Sequence, residues 1–484
     1  MTDYDCFLIF DQNDIMRKIF VSLLLITFSV PVFAQEVKTR LATATQHLLN
    51  DVQMKNASIS FYVADASTGK LVYQYNGEKG LSPASTQKIF TTVATFEILG
   101  DNYTFKTDIG YNGNVSNGIL KGDLIVRGFG DPTLGSWRYA GFKPEDVKEK
   151  FLSIIANAGI QQIDGNIIID ESSWGFNPTP GGWPWDDLGN YYGAGDWGIN
   201  WNENQINLTL RPGKSVGDDV AVTKIDPQLQ GAKLVNRLTT GSAGSGDNST
   251  IYVAPYSPVV YADGSVPAGK SLMITGSMPN PPLQFGYELK KWLGEKNISL
   301  TGEIKTASDF ILMDKNAPKM TTKLAVYNSP SARDIIYHFL RKSVNLYGES
   351  FAKAIGWQEK NNASTAAGVS VIRKFWLENG INYASLHMID GSGLSPQDYV
   401  TAHAEVTALL YAQKKDWFSE FYKSLPTYNG TKMKSGTISA CKAYAGYQTS
   451  KSGKKYVFSM IINDYYGSQY NLLPKMYKIL DVLK

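Results

Sequence analysis

The pattern of this chain changes character twice, and those two changes limit its fold more than any other feature. Residues 36–54 carry helical spacing. Ile59, Phe61 and Val63 then alternate, Ser67-Thr68-Gly69 turns, and Leu71, Tyr73 and Tyr75 alternate again, which reads as a β-hairpin. Pro83 and Ser85 open a helix in which Ile89, Phe90, Val93, Phe96 and Leu99 recur at helical spacing until Gly100 ends it. From about residue 104 to about 310, short strands and Gly/Pro/Asn turns take over, with helices expected near 144–158 and 285–295. Helical patterns return after about 325, over 331–342, 346–356, 364–379 and 401–413. Strands over 434–447 and 455–463 and a helix near 471–483 come after them. A helix-and-strand unit is therefore interrupted by a mostly β region and resumes beyond it. The length of 484 residues allows roughly three domains. A content of 43% hydrophobic and 19% charged residues excludes a disordered chain and a coiled-coil rod.

The first 34 residues read as an address. Met16-Arg17-Lys18 precedes the apolar run Ile19 to Val30, and Val32-Phe33-Ala34 supplies a small-x-small end. That is the layout of a cleavable secretory signal, too short for a permanent span of about 20 apolar residues. The expected mature chain starts at about Gln35, with Met16 as the expected start. Cleavage would remove two cations (Arg17, Lys18) and four anions (Asp3, Asp5, Asp11, Asp14), making the formal charge of +3 more positive by two. It would also remove Cys6, leaving Cys441 without an internal disulfide partner. No basic stripe concentrates the charge, so nucleic acid is not an expected partner. The four histidines, His47, His338, His387 and His403, are scattered, no Cys/His cluster has zinc spacing, and no cofactor or metal is expected.

Three short motifs can carry chemistry. Ser85-Thr86-Gln87-Lys88 is an S-x-x-K, and i,i+3 spacing on a helix puts both side chains on one face. A serine hydroxyl becomes a useful nucleophile when a neighbour takes its proton. A lysine can do so when burial or a nearby cation lowers its pKa. Ser67-Thr68-Gly69-Lys70 and Ser452-Gly453-Lys454-Lys455 match the same pattern, but both lie in hairpin turns with solvated lysines. Lys434-Ser435-Gly436-Thr437 is a K-S-G that opens a strand expected to run through Ile438, Ala440, Ala443 and Gly446. Its rival Lys451-Ser452-Gly453 sits in a polar turn. A glycine in such a strand allows close approach of a ligand or another backbone. Ser343-Val344-Asn345 lies between two helical runs, where a serine standing alone reads as a helix N-cap.

Taken in order, S-x-x-K, S-x-N and K-S-G match the sequence of the serine penicillin-recognising enzymes. The chain resembles the D-alanyl-D-alanine carboxypeptidase/endopeptidases of the penicillin-binding-protein-4 type, peptidase family S13. The likeness extends to Gly130-Asp131-Pro132-Thr133-Leu134, to Gly165-Asn166 with Asp170, to the Trp183–Asp187 segment, and to Asp390-Gly391-Ser392-Gly393-Leu394-Ser395. It implies an α/β (α+β) fold: a transpeptidase-like domain with an antiparallel sheet flanked by helices, interrupted by inserted, mostly β domains. The expected catalytic unit is 35–103 plus 322–484. The expected insertion is 104–321, with an inner domain at roughly 131–210.

The resemblance further implies that Ser85 attacks a terminal D-Ala-D-Ala carbonyl while Lys88 takes its proton. Ser343 would relay a proton to the leaving amine in the field of Lys434, and Asn345 would bind a substrate amide. Lys434, Ser435, Gly436 and Thr437 would hold the substrate, with the Ser85 and Thr437 N–H groups as oxyanion hole. Two lysines in one small site should disfavour each other's charge. Asp186 and Asp187 match the acidic segment that grips a diaminopimelate amino group, and the choice between them stays open. Pro396 stands where some members carry an Arg. The implied partners are peptidoglycan stem peptides and cross-links, with β-lactams as covalent inhibitors, and the implied location is the periplasm. Peripheral association with a membrane or the wall stays open, as does the balance of carboxypeptidase and endopeptidase activity.

Three other readings compete. A β-lactamase would need a deacylating glutamate, and Glu203-Asn204-Gln205-Ile206-Asn207 resembles one. It precedes the S-x-N, however, and Ile206, Leu208 and Leu210 alternate as a strand. A non-catalytic wall binder would use the aromatics over 174–201 to stack on glycan rings, and would have no need of Lys88 and Lys434. A Ser-His-Asp hydrolase lacks a nucleophile-elbow serine for any histidine.

Overall fold

The computed structural model describes residues 36–484, and the expected leader and cleavage site lie outside the described residues. A six-stranded antiparallel sheet forms the catalytic body, in the order Leu71–Tyr75, Ser58–Asp65, Lys455–Asn463, Cys441–Thr449, Thr431–Ile438, Thr427–Tyr428. Strand 455–463 is buried from its second residue to its last because both faces are covered. Val457 and Ile461 face one core, with the helices Lys88–Ile98, Asn345–Lys360 and Ala402–Ala412. Tyr456, Phe458, Met460 and Ile462 face the other, with the helices 36–49 and Gln469–Leu480. Period-two alternation thus sorts one strand between two apolar layers.

The fold class agrees with the expectation, and several local details differ. Residues 434–447 are not one strand, as the alternation suggests, but a hairpin, Thr431–Ile438 and Cys441–Thr449, turning at Ser439-Ala440 with Ala440 at φ +52°. Alanine carries no turn signature, so apolar alternation runs straight through it. Ser85 sits in a 3₁₀ turn, Ala84–Gln87, and the α-helix begins at Lys88. The first helix stops at 49, and Val52–Met54 is a 3₁₀ turn capped by Asp51.

The inserted region centres on a five-stranded sheet in the order Ile304–Thr306, Ile167–Asp170, Leu124–Gly128, Lys106–Tyr111, Thr322–Asn328. Helices Pro144–Asn157 and Pro281–Glu295 share its core, with the Phe151 and Phe285 rings 5.5 Å apart. Strand 322–328 pairs with 106–111, so this sheet reaches past residue 321. Strand Gln205–Arg211 pairs with Ala221–Asp226 and Leu272–Ser277. The later sheets therefore lie within 205–277, and the expected inner stretch 131–210 joins strand 167–170 of the five-stranded sheet to most of strand 205–211 of a later one. The aromatics at 174–201 are mostly core: Trp174, Trp183, Trp197 and Trp201 are buried, while Trp185 and Tyr191 are exposed. That burial removes most of the glycan-stacking platform the binder reading needs. Among the described residues no helix is long and apolar enough to cross a membrane.

Candidate active site

The nucleophile turn is built by a close approach of two chain segments. Gly436 lies on the strand that crosses Pro83–Ser85. A Cβ on it would collide with the Pro83 carbonyl and stand 3.0 Å from the Ser85 nitrogen. Gly436 does not line the cleft; its missing side chain is what lets the strand reach the turn. Ala84, just before Ser85, is held at φ +47°, a left-handed conformation that costs a non-glycine residue energy.

Lys88 is fully buried, and its Nζ has three near partners. It donates to Ser85 Oγ at 2.9 Å, to Asn345 Oδ1 at 2.7 Å and to the Ser392 carbonyl at 2.6 Å. None of these acceptors is a carboxylate. Burial lowers the Lys88 pKa to about 7, against the pull of Asp390, Glu349 and Asp398. Lys434 is also buried and donates to Ser343 Oγ at 3.0 Å and to the Ser435 carbonyl at 2.8 Å. Burial, then the positive charges of Lys88 and Lys442, hold its pKa well below the usual lysine range. Mutual repulsion of the two lysines is the cause the sequence suggests, but burial leads in both.

Ser343 is not an N-cap. It ends the helix Ala332–Lys342 in a left-handed conformation, φ +58°, just before the helix Asn345–Lys360. Asn345 spends its carbonyl on Lys88 and one amide proton on the Tyr192 carbonyl at 2.8 Å. The three motifs therefore meet although 254 residues, 89–342, separate Lys88 from Ser343. Ser85, Ser343, Asn345, Ser435 and Thr437 line one cleft of about 550 Å³. Asp186 and Asp187 line the same cleft. Asp186 is exposed, whereas Asp187 is partly buried and accepts the Tyr192 hydroxyl at 3.0 Å.

Several contributors have roles that the sequence motifs do not assign. The fully buried Asp390 carboxylate accepts six donors: the backbone N–H groups of Ser392, Gly393, Leu394 and Ser395, the Gln87 amide at 3.0 Å and the Trp183 indole at 2.7 Å. It thereby shapes the loop whose Ser392 carbonyl meets Lys88. Glu349, one turn after Asn345, accepts the Gly391 N–H, and burial raises its pKa to about 8. Lys442 stands opposite Thr437 on the next strand and donates to its hydroxyl at 2.8 Å. Placing the hairpin turn correctly would have revealed that pair. Glu203 is held by Ser136, Arg138 and Tyr347 at 2.6, 2.8 and 2.7 Å, a buried structural cluster. Among the described residues no His/Cys/Asp/Glu group could hold a metal.

A serine hydroxyl against a buried lysine, faced by a second Ser–Lys pair and a strand that can present N–H groups, defines a serine acyl-transfer enzyme. Residues 41–431 match the model of the D-Ala-D-Ala carboxypeptidase 3 (S13) family. The chain belongs to that family of serine-type D-Ala-D-Ala carboxypeptidases. It is 25% identical over 477 residues to D-alanyl-D-alanine carboxypeptidase DacB of Haemophilus influenzae, covering 92% of this chain and 91% of the relative. It is 25% identical over 465 residues to the D-alanyl-D-alanine carboxypeptidase of an Actinomadura species, covering 89% and 82%. The crystal structure of penicillin binding protein 4 from Haemophilus influenzae superposes with a TM-score of 0.75 at 21% identity, over 90% of this chain and 99% of that one. The same protein complexed with a β-lactam gives 0.73 at 20% identity, over 92% and 99%.

Proposed function

We propose that the chain trims or opens peptidoglycan peptides through an acyl-enzyme on Ser85. The observation that carries this is Lys88 Nζ at 2.9 Å from Ser85 Oγ, buried and without a carboxylate partner. Lys88 in its neutral form takes the Ser85 proton as Oγ bonds to the carbonyl carbon of a terminal D-Ala-D-Ala unit. The oxyanion lies between the N–H groups of Ser85 and Thr437, each such donor contributing about 3 kcal/mol to the transition state. The carbon–nitrogen bond then breaks. Ser343, bonded to Lys434, passes a proton to the leaving amine, and the proton that Lys88 took from Ser85 replaces it, so that Lys88 is neutral again before water enters. Lys434 and Ser435 hold the substrate carboxylate, and the free amide proton of Asn345 holds a peptide carbonyl. Water, activated by Lys88, cleaves the ester and restores Ser85. β-Lactams would acylate the same oxygen.

Asp187 is the proposed grip for a side-chain amine, because it is partly buried and braced by Tyr192, whereas Asp186 is solvated. A cross-link differs from a free stem peptide only in the group beyond the scissile bond, so endopeptidase activity uses the same atoms. The export signal read in residues 1–34 supports a reaction in the periplasm. The test is digestion of purified cell wall with separation of free D-Ala from split cross-links. Ser85→Ala should abolish both products, and covalent labelling by a β-lactam, without altering the thermal unfolding profile. Product release surviving that change would move the nucleophile elsewhere.

A further inference from the structure

Two sites in the cleft are joined by one short chain of hydrogen bonds. The Tyr192 hydroxyl donates to Asp187 Oδ1 at 3.0 Å. The Tyr192 carbonyl accepts Asn345 Nδ2 at 2.8 Å, and Asn345 Oδ1 accepts Lys88 Nζ at 2.7 Å. One residue therefore holds the acidic subsite with its side chain and the catalytic network with its backbone. The segment between is stiff. Asp187 N donates to the Pro184 carbonyl, Asn190 N to that of Asp187 and Gly193 N to that of Asn190, at 3.0, 3.0 and 2.9 Å. A Cβ on Gly193 would collide with the Asp187 carbonyl, so the turn at 191–193 is packed against the short helix Trp185–Leu188. A second tie, the Trp183 indole on Asp390, joins the same segment to the loop that supplies the Ser392 carbonyl to Lys88.

We infer that Tyr192 is a positioning residue that couples occupation of the Asp187 subsite to the placement of Asn345 and Lys88. This rests on the reading of Asp187 as the side-chain grip. A substrate ammonium on Asp187 would fix in place the carboxylate to which the Tyr192 hydroxyl donates. Hydrogen bonds to a charged acceptor are about twice as strong as those between neutral groups, so fixing that carboxylate also fixes the Tyr192 ring. The stiff turn carries that restraint to the carbonyl on Asn345. Binding energy from a remote group of the substrate is thus spent on aligning the base, and appears in kcat as well as in KM.

The experiment compares D-Ala release from two peptides ending in D-Ala-D-Ala, one with a free side-chain amine on the preceding residue and one acetylated at that amine. The proteins are the wild type, Tyr192→Phe, Asp187→Asn and the double variant. In the wild type the free-amine peptide should have the higher kcat. Tyr192→Phe, which keeps the ring and the backbone carbonyl, should reduce that kcat ratio by roughly tenfold. The double variant should lose no more of the ratio than the larger single loss. If Tyr192→Phe slows both peptides by the same factor, or alters only KM, the coupling is refuted. If Asp187→Asn collapses the ratio while Tyr192→Phe preserves it, the grip stands and the link falls. If Asp187→Asn leaves the ratio unchanged, the grip itself is wrong and the inference goes with it.

Discussion

Two buried lysines pack against the helix Asn345–Lys360, and their surroundings differ in one decisive respect. Lys353, on that helix, donates to the carbonyls of Asp196 and Asn177 at 2.7 and 3.2 Å and lies 3.8 Å from the Asp196 carboxylate. Lys88, touching the first residue of the helix, bonds three neutral oxygens. Burial lowers the pKa of both. In the first case an anion in the immediate surroundings opposes that effect. In the second the anion that pulls hardest on Lys88, Asp390, is already engaged by six N–H donors, and Glu349 has a pKa raised to about 8, so it is mostly protonated at neutral pH. A buried lysine becomes a structural ion where it keeps a counter-ion, and a base where the available carboxylates are bonded to something else.

The sharpest way to break this contrast is to remove each ammonium in turn. Lys88→Met should lower the rate of acylation by a β-lactam by about 10²–10⁴-fold, the range a positioned general base supplies. Its cost in stability should be the smaller of the two, because no direct ion pair is lost. Lys353→Met strands the Asp196 carboxylate, which is fully buried, and should destabilise the fold by about 3–5 kcal/mol while the residual folded enzyme still acylates. Denaturant unfolding and stopped-flow acylation on both variants check this. The contrast fails if Lys88→Met proves the more destabilising, or if Lys353→Met is the slower catalyst at equal folded fraction.

The two regions also differ in how far they are legible in the sequence. Ser85, Lys88, Ser343, Asn345 and Lys434 stand out because short spacings betray them, and the hairpins and amphipathic helices around them obey periods of 2 and 3.6. The contacts that close the site are long-range and leave no local pattern. Gln87 is 303 positions from Asp390, and Trp183 is 207 positions from it. Tyr192 meets Asn345 through a backbone carbonyl, which any residue could supply. Strand pairing is equally silent: 205–211 looks like a strand, but nothing in it says that 272–277 is its neighbour. Lys353 reads as an ordinary helix lysine until the partner at 196 is seen. Alternation reports which residues are buried, and a buried charge breaks that pattern without announcing its counterpart.

The finest test of the contrast is pH. Lys88 must be neutral to accept the serine proton, and burial sets its pKa at about 7. Acylation should therefore rise about tenfold per pH unit below that point and level off above it, since each unit changes the neutral fraction tenfold until deprotonation is complete. Glu349 pulls in the opposite direction to burial: its ionised form favours the charged lysine. With its own pKa raised to about 8, Glu349 is mostly protonated over the acidic limb, so Glu349→Gln, which keeps the size and an acceptor for the Gly391 N–H, should leave that limb in place. A move to lower pH would mean that Glu349 is ionised beside Lys88, and the difference between the two lysines would then rest on Asp390 alone.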